Sequence, residues 1–284
     1  MKIPKRIQPL VDDGLVDEVI SRLMSGKEAD VYVVRCNGEI RCAKVYKEAA
    51  QRSFKKAVTY QEGRKVRNSR RGRAMEKGSK YGRKQQESSW QNAEIDALAK
   101  VAAAQVRGPE TYGCLDGVLL MELIVDSEGD VAPRLGDVTM SEQQALEDHS
   151  LMMTYVMRML CAGIVHGDLS EFNVLMDQYG PVIIDLPQAV DAAANNHAKS
   201  MLLRDVANMT NYFGLFAPQI LESHYAQEMW ALYENGKLNT DTVLSGDFQL
   251  DNHSADVDSV MDEIKAIITE ENDRLERLSE LAEQ

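Results

Sequence analysis

Val19–Leu23, Ala29–Arg35 and Ile40–Val45 read as three strands separated by short polar breaks. Asn37-Gly38 joins the last two, and this pair accepts the positive φ of a tight hairpin turn. The chain is therefore expected to open on an antiparallel sheet. From Trp90 the pattern changes to helical, with Trp90, Ala93, Ala97, Leu98 and Val101 recurring at threes and fours and Glu94 on the neighbouring face. Val118–Ile124 is a near-continuous apolar run of buried-strand type, and the polar break Ser127–Gly129 follows it. Beyond the break the spacing predicts a long helix over Ser141–Cys161 ended by Gly163. A strand pair is predicted at Val174–Met176 and Val182–Ile184, then helices over Leu202–Phe216 and Pro218–Asn235.

These elements predict an α+β, bilobal fold with a small antiparallel-sheet first lobe and a mainly helical second lobe. The expected division is an N-terminal extension (1–18), a sheet lobe (19–125), a helical lobe (126–250) and an acidic C-terminal helix (251–284). That last helix is predicted from apolar residues at helical spacing, Val257 through Leu278, and is expected to dock on the body or on a partner. Between the sheet and the first long helix, residues 61–89 carry few apolar side chains to offset the entropy of ordering, so a flexible loop is expected.

Charge sharpens this picture. The 284 residues carry a net charge of −13. Arg52 to Lys84 nevertheless hold 13 basic residues against two acidic ones, a local +11 that leaves −24 for the rest. The segment 61–84 is accordingly a candidate contact for RNA phosphates, for a ribosomal particle or for an acidic protein. Few aromatics accompany it, which argues against base stacking on single strands. The four cysteines lie far apart without ligand spacing and read as reduced, packed thiols. No apolar run is long enough for a membrane span and Met1–Arg6 leads into no signal-peptide region, so the expectation is a cytoplasmic protein with no membrane partner. Oligomeric state is not legible.

The chemistry is concentrated in His166-Gly167-Asp168-Leu169-Ser170-Glu171-Phe172-Asn173 and in Asp185 on the return of the following hairpin. Phosphoryl transfer from ATP requires a carboxylate beside the acceptor hydroxyl and oxygen ligands that hold a divalent cation across the phosphates. An Asp and an Asn five apart on one loop, with a later Asp, supply that set in order. Asp168 would orient or deprotonate the acceptor, Asn173 and Asp185 would hold Mg²⁺ (or Mn²⁺), and His166 would brace the loop. A turn rich in polar caps is the alternative, and the apolar flanks and joint spacing argue against it.

Lys44 stands mid-strand between apolar residues, a costly position for an ammonium without anionic partners. The α- and β-phosphates of ATP and a helix carboxylate would serve. Glu94 is the choice for that carboxylate, with Glu87 as the alternative. Ser25-Gly26-Lys27 between the first two strands would cover the phosphates, although a plain hairpin turn explains one glycine equally well. Met121-Glu122-Leu123-Ile124 lies at the lobe junction, where the Glu122 carbonyl and Ile124 amide could pair with adenine.

Together, Ser25–Tyr32, Lys44-Val45-Tyr46-Lys47, Ala132-Pro133-Arg134-Leu135, and His166–Asn173 with Ile184-Asp185-Leu186-Pro187 resemble the RIO family of atypical serine/threonine protein kinases. The resemblance spans Val19–Phe216 and is to the branch without an N-terminal winged helix. It implies an ATP- and Mg²⁺-dependent transferase that phosphorylates serine on a protein, itself included, and a nucleotide site that includes Pro133. It further implies that Asp185 accepts phosphate in an ATPase cycle in the alternative reading, an ATPase switch in small-subunit assembly. The Arg that precedes the catalytic Asp in ordinary protein kinases is replaced by Gly167, so control through a phosphorylated activation loop is not expected. Arg204–Asn208 also matches the family, with Asp205 expected to brace the catalytic loop or to cap a surface helix. A small-molecule phosphotransferase shares the His-Gly-Asp loop and is a third reading, which Ser25–Asp30 and Lys44–Lys47 disfavour.

Overall fold

Strands β1 (Glu18–Ser25), β2 (Ala29–Cys36) and β3 (Glu39–Tyr46) pair antiparallel in the first half of the chain. The β2–β3 turn is Asn37-Gly38, with φ of 52° and 82°, the doubly positive geometry for which that dipeptide is suited. Two further strands, β4 (Thr111–Leu115) and β5 (Val118–Glu122), complete a five-stranded sheet in the order β1-β2-β3-β5-β4. Lys44 sits at its centre, opposite Val31 on one side and Leu119 on the other. The computed structural model describes residues 3–26, 28–47 and 93–248. Lys27, Glu87, Trp90, the basic segment 61–89 and the predicted helix in 251–284 lie outside the described residues.

A short helix, α1 (Gln8–Asp12), covers one face of the sheet, placing Ile7 and Leu10 against Val34, Ala43 and Val118. Helix α2 (residues 93–103) covers the other, burying Ala97, Leu98 and Val101 against Leu119. The helical half is built on α3 (Glu142–Cys161), whose Ser141 N-cap hydroxyl accepts from Gln144 N at 3.2 Å and satisfies one orphan amide of the first turn. Its buried stripe, Met152, Met153, Val156, Met157 and Leu160, repeats at threes and fours and faces α4 (Ala198–Gly214). Gly163, at φ 74°, ends the α3 segment in a left-handed turn that favours glycine. Strands β6 (Ile164–Val165) and β9 (Val190–Asp191) pair, and β7 (Val174–Asp177) with β8 (Gly180–Ile183) forms the hairpin expected around Tyr179.

Besides helix α1, which the sequence did not disclose, three details differ from the sequence expectation. Helix α4 begins at Ala198 rather than Leu202, because Ala198 and Met201 are buried and extend the apolar stripe by a turn. The helix expected over Pro218–Asn235 is two pieces, a 3-10 turn at Pro218–Glu222 and α5 (Tyr225–Glu234). Ser223 is extended between them, and His224 N instead meets Gly246 O at 2.7 Å, where the chain returns. Strand β4 was not expected from the sequence: its pattern is mostly exposed, and its Gly113 sits at a register shift against β5, so neither alternation nor a continuous apolar run marks it. All four cysteines are free thiols. No helix among the described residues is long and apolar enough to cross a membrane.

Candidate functional site

The sheet and the helical half meet at Lys44. Its Nζ donates to Glu94 Oε1 at 2.6 Å and to Asp185 Oδ1 at 2.6 Å. One ammonium thus joins β3, the first described turn of α2 and the residue two past β8. Burial alone would favour the neutral amine, but the Asp185 and Glu94 carboxylates outweigh it and hold Lys44 protonated, above the ordinary lysine range. Glu94 is buried and takes a second hydrogen bond from the Tyr46 hydroxyl. That phenol is pushed up by its own burial and then by the Glu94 charge, so it stays a donor. The Lys44 partner chosen from sequence is therefore Glu94.

Asp185 has φ 65°, a left-handed conformation that Asp tolerates better than most residues. The turn lifts the chain out of the hairpin while its carboxylate stays on Lys44. Burial would raise the Asp185 carboxyl, but the Lys44 charge and hydrogen bond prevail and hold it below the usual range. With its side chain two-fifths accessible, the carboxylate retains an open side.

The loop His166–Asn173 is fixed from beneath. Asp168 N donates to His166 Nδ1 at 3.3 Å, which leaves Nε2 as the protonated nitrogen facing Ile184 O at 3.1 Å. His166, nearly inaccessible, thereby ties the loop to the residue before Asp185. Asp205 on α4 accepts from Gly167 N at 2.7 Å and Leu169 N at 3.0 Å, the two amides flanking Asp168. Arg204 donates to Gly167 O, and Asn208 Nδ2 to Leu169 O at 2.9 Å. Burial pushes the Asp205 carboxyl up to about 6, a shift that the Arg204 charge and the two amides limit.

Asn173 Nδ2 donates to Asp168 O at 2.7 Å, so its Oδ1 is the atom left to face a cation. Asn173 O also accepts from Ile184 N at 3.0 Å, which links the loop to the Asp185 strand a second time. Gln188 Nε2 donates to Asp168 Oδ2 at 3.3 Å, a contact that spacing did not disclose. An amide oxygen and a carboxylate suit a small, hard cation that completes its shell with water and phosphate oxygens. Among the described residues no group of three or more His, Cys, Asp or Glu is placed to hold a metal ion.

Across the cleft, the turn after β1 is closed on itself. Ser25 Oγ donates to Asp30 Oδ1 at 2.5 Å, Lys47 Nζ donates to Gly26 O at 2.6 Å, and Gly26 N donates to Ala29 O at 2.9 Å. Met121 and Glu122 end β5 half-buried, Ile124 is buried and accepts from Ala132 N at 3.0 Å, and Pro133 O accepts from Met176 N at 2.9 Å. The Glu122 carboxylate is engaged by both Arg107 guanidinium nitrogens at 2.9 and 2.8 Å, and Arg107 also reaches Asp177 at 3.3 Å. The Glu122 side chain is thus occupied, and its backbone amide donates to Glu110 O at 2.8 Å. Arg107 straps β5 to the β7–β8 hairpin, and nothing in its sequence context marked it.

A small antiparallel sheet packed on a helical half, with a lysine, a helix glutamate and an Asp-Asn loop meeting between them, is a protein-kinase-like α+β arrangement. Comparison with known proteins makes this specific: residues 30–226 match the RIO domain, and the chain belongs to that family. It is 33% identical over 202 residues to the human serine/threonine-protein kinase RIO1, covering 70% of this chain and 34% of that protein. It is 31% identical over 210 residues to the RIO-type serine/threonine-protein kinase Rio1 of Haloferax volcanii, covering 73% of this chain and 67% of the relative. The Schizosaccharomyces pombe serine/threonine-protein kinase rio1 is 30% identical over 213 residues, 72% of this chain and 40% of that protein. The chain thus spans about a third of the human relative's length.

Proposed function

We propose that the chain is a serine/threonine protein kinase that transfers the γ-phosphate of ATP to a protein serine, its own included, with Mg²⁺ as cofactor. The observation that carries the reading is the convergence of Glu94 and Asp185 on Lys44, each within hydrogen-bond distance of its ammonium, beside a loop that holds Asp168 and Asn173. The names of the relatives agree with it.

In this reading Asp168 accepts the proton of the serine hydroxyl as its oxygen bonds to the γ-phosphorus, and ADP leaves with the bridging oxygen. Gln188 steadies the Asp168 carboxylate, and the Asp205 clamp keeps the neighbouring amides from drifting. Lys44 donates to the α- and β-phosphates and is held in place by Glu94. Asn173 Oδ1 and the open side of Asp185 hold Mg²⁺, which when bound offsets charge on the phosphates. His166 acts through the backbone as a brace. Ser25, Gly26 and Lys27 cover the phosphates, while Met121, the Glu122 carbonyl, the Ile124 amide and Pro133 receive the adenine.

The test is self-labelling by γ-labelled ATP in the purified chain. Wild type labels serine in a Mg²⁺-dependent way, and Asp168→Ala still binds nucleotide but loses labelling by at least about a hundredfold. Equal labelling by the two proteins would remove Asp168 from its role.

A further inference from the structure

Arg134 belongs to the Ala132-Pro133-Arg134-Leu135 motif, of which the reading above uses only Pro133. Its backbone is extended, with φ −71° and ψ 152°, and makes an antiparallel bridge with Leu175. Three neighbouring bonds pin the segment: Met176 N to Pro133 O at 2.9 Å, Asp137 N to Arg134 O at 3.0 Å, and Gly136 N to Glu171 O at 3.1 Å. The Cα of Arg134 is therefore held against β7, the strand that starts one residue after Asn173. The side chain then crosses to the opposite wall, where a guanidinium nitrogen meets Met24 Sδ on β1, immediately before Ser25-Gly26.

A thioether is a weak acceptor and cannot satisfy a guanidinium with five N–H donors. Three arginines of this fold meet carboxylates, Arg107 on Glu122 and Asp177, Arg41 on Glu39 and Arg35 on Glu18, and Arg158 donates to a backbone carbonyl, Gln105 O, at 2.8 Å. Among the described residues Arg134 meets no carboxylate. Its charge is nevertheless felt at Asp185, where burial raises the carboxyl and Lys44 and, more weakly, Arg134 lower it. A half-buried guanidinium thus stands between the end of β1 and β7, anchored at its backbone and with no carboxylate partner among the described residues.

We propose that Arg134 is a nucleotide-binding residue whose guanidinium takes oxygens of the ATP polyphosphate tail. This rests on the kinase reading and deepens it, because it assigns a second fixed cation to the phosphates besides Lys44. Planar N–H pairs match phosphate oxygens in a way that a point-charge ammonium does not, so the residue would favour ATP and ADP over the uncharged nucleoside.

Calorimetric titration of the full chain with adenosine, ADP and ATP, in Mg²⁺, tests this in wild type, Arg134→Met and Arg134→Lys. Arg134→Met is expected to weaken ATP and ADP about tenfold or more and adenosine less than about twofold, with Arg134→Lys between wild type and Arg134→Met. Parallel weakening of adenosine and ATP would make Arg134 only a strap between the two walls, and unchanged ATP affinity would deny it any role; either overturns the proposal while leaving the kinase reading intact. Wild type that fails to bind ATP at all would instead overturn the kinase reading on which the proposal stands. Should Arg134→Met not fold, Arg134→Lys decides: ATP weakened relative to adenosine supports the assignment, and an unchanged ratio rejects it.

Discussion

Replacing Lys44 by Met keeps most of the side chain's apolar volume and removes its charge from between two carboxylates. The Lys44 side chain is 10% exposed and that of Glu94 is 2% exposed, so Glu94 would be left as an ionised group in a dry site with only the Tyr46 hydroxyl for support. Removing one partner of such a buried pair costs about 3–5 kcal/mol. The Asp185 half of the contact adds little, about 0–1 kcal/mol, because that carboxylate is 40% exposed and water can replace the ammonium. Urea unfolding at pH 7 should therefore show Lys44→Met destabilised by about 3–5 kcal/mol with an unchanged denaturant slope. Adding Glu94→Gln removes the stranded charge while retaining an acceptor for Tyr46. The double variant should then be more stable than Lys44→Met alone, by about 1–3 kcal/mol. A single variant within about 0.5 kcal/mol of wild type, or a double variant whose loss equals the sum of the two singles, would refute the argument that the ion pair is buried and coupled.

Two other outcomes follow from the buried titratable groups. Asp205 has a folded pKa raised from 3.8 to about 6, so its contribution to stability is fully present below pH 3.8 and is lost as pH rises through 6. Asp205→Asn abolishes that dependence, so the stability of wild type relative to the variant should fall between pH 4 and pH 7 in urea titrations; the variant should also label more slowly, since an NH2 group replaces one of the two oxygens that accept from Gly167 N and Leu169 N. His149, packed edge-on against Phe213, has a pKa lowered by burial from 6.5 to about 4, so its contribution is present above pH 6.5 and is lost as pH falls through 4. His149→Phe should flatten the acid side of the stability curve, removing a slope of up to about 1.4 kcal/mol per pH unit, and an unchanged slope would show that the ring is not the titrating group.

Much of the site was legible because its residue types are expensive where they stand. A lysine in the middle of an apolar strand demands anions, and both carboxylates it finds, Glu94 and Asp185, were among those named from sequence. The Asp168 and Asn173 spacing was readable because both lie on one short loop, where sequence distance bounds spatial distance. Asp205 was legible only as one of two alternatives, and its bonds to Gly167 and Leu169 make it a loop brace rather than a surface cap. Arg107 was invisible because its partners, Glu122 and Asp177, are brought together only by the packing of β5 on the β7–β8 hairpin. The Tyr46 hydroxyl and Gln188 escaped for the same reason: their partners lie 48 and 20 residues away and meet them only through packing. Strand β4 and helix α1 were missed because an exposed, bulged edge strand and a five-residue helix carry too little periodicity to be read.

The central claim is that one nucleotide's phosphates lie between Lys44 and the Asn173–Asp185 pair. A crystal structure with a non-hydrolysable ATP analogue and Mg²⁺ tests it most directly. The account predicts Lys44 Nζ on α- or β-phosphate oxygens and the metal about 2.1 Å from Asn173 Oδ1 and an Asp185 oxygen, with the γ-phosphate facing Asp168. A nucleotide seated elsewhere, or a metal bound without either Asn173 or Asp185, would contradict it.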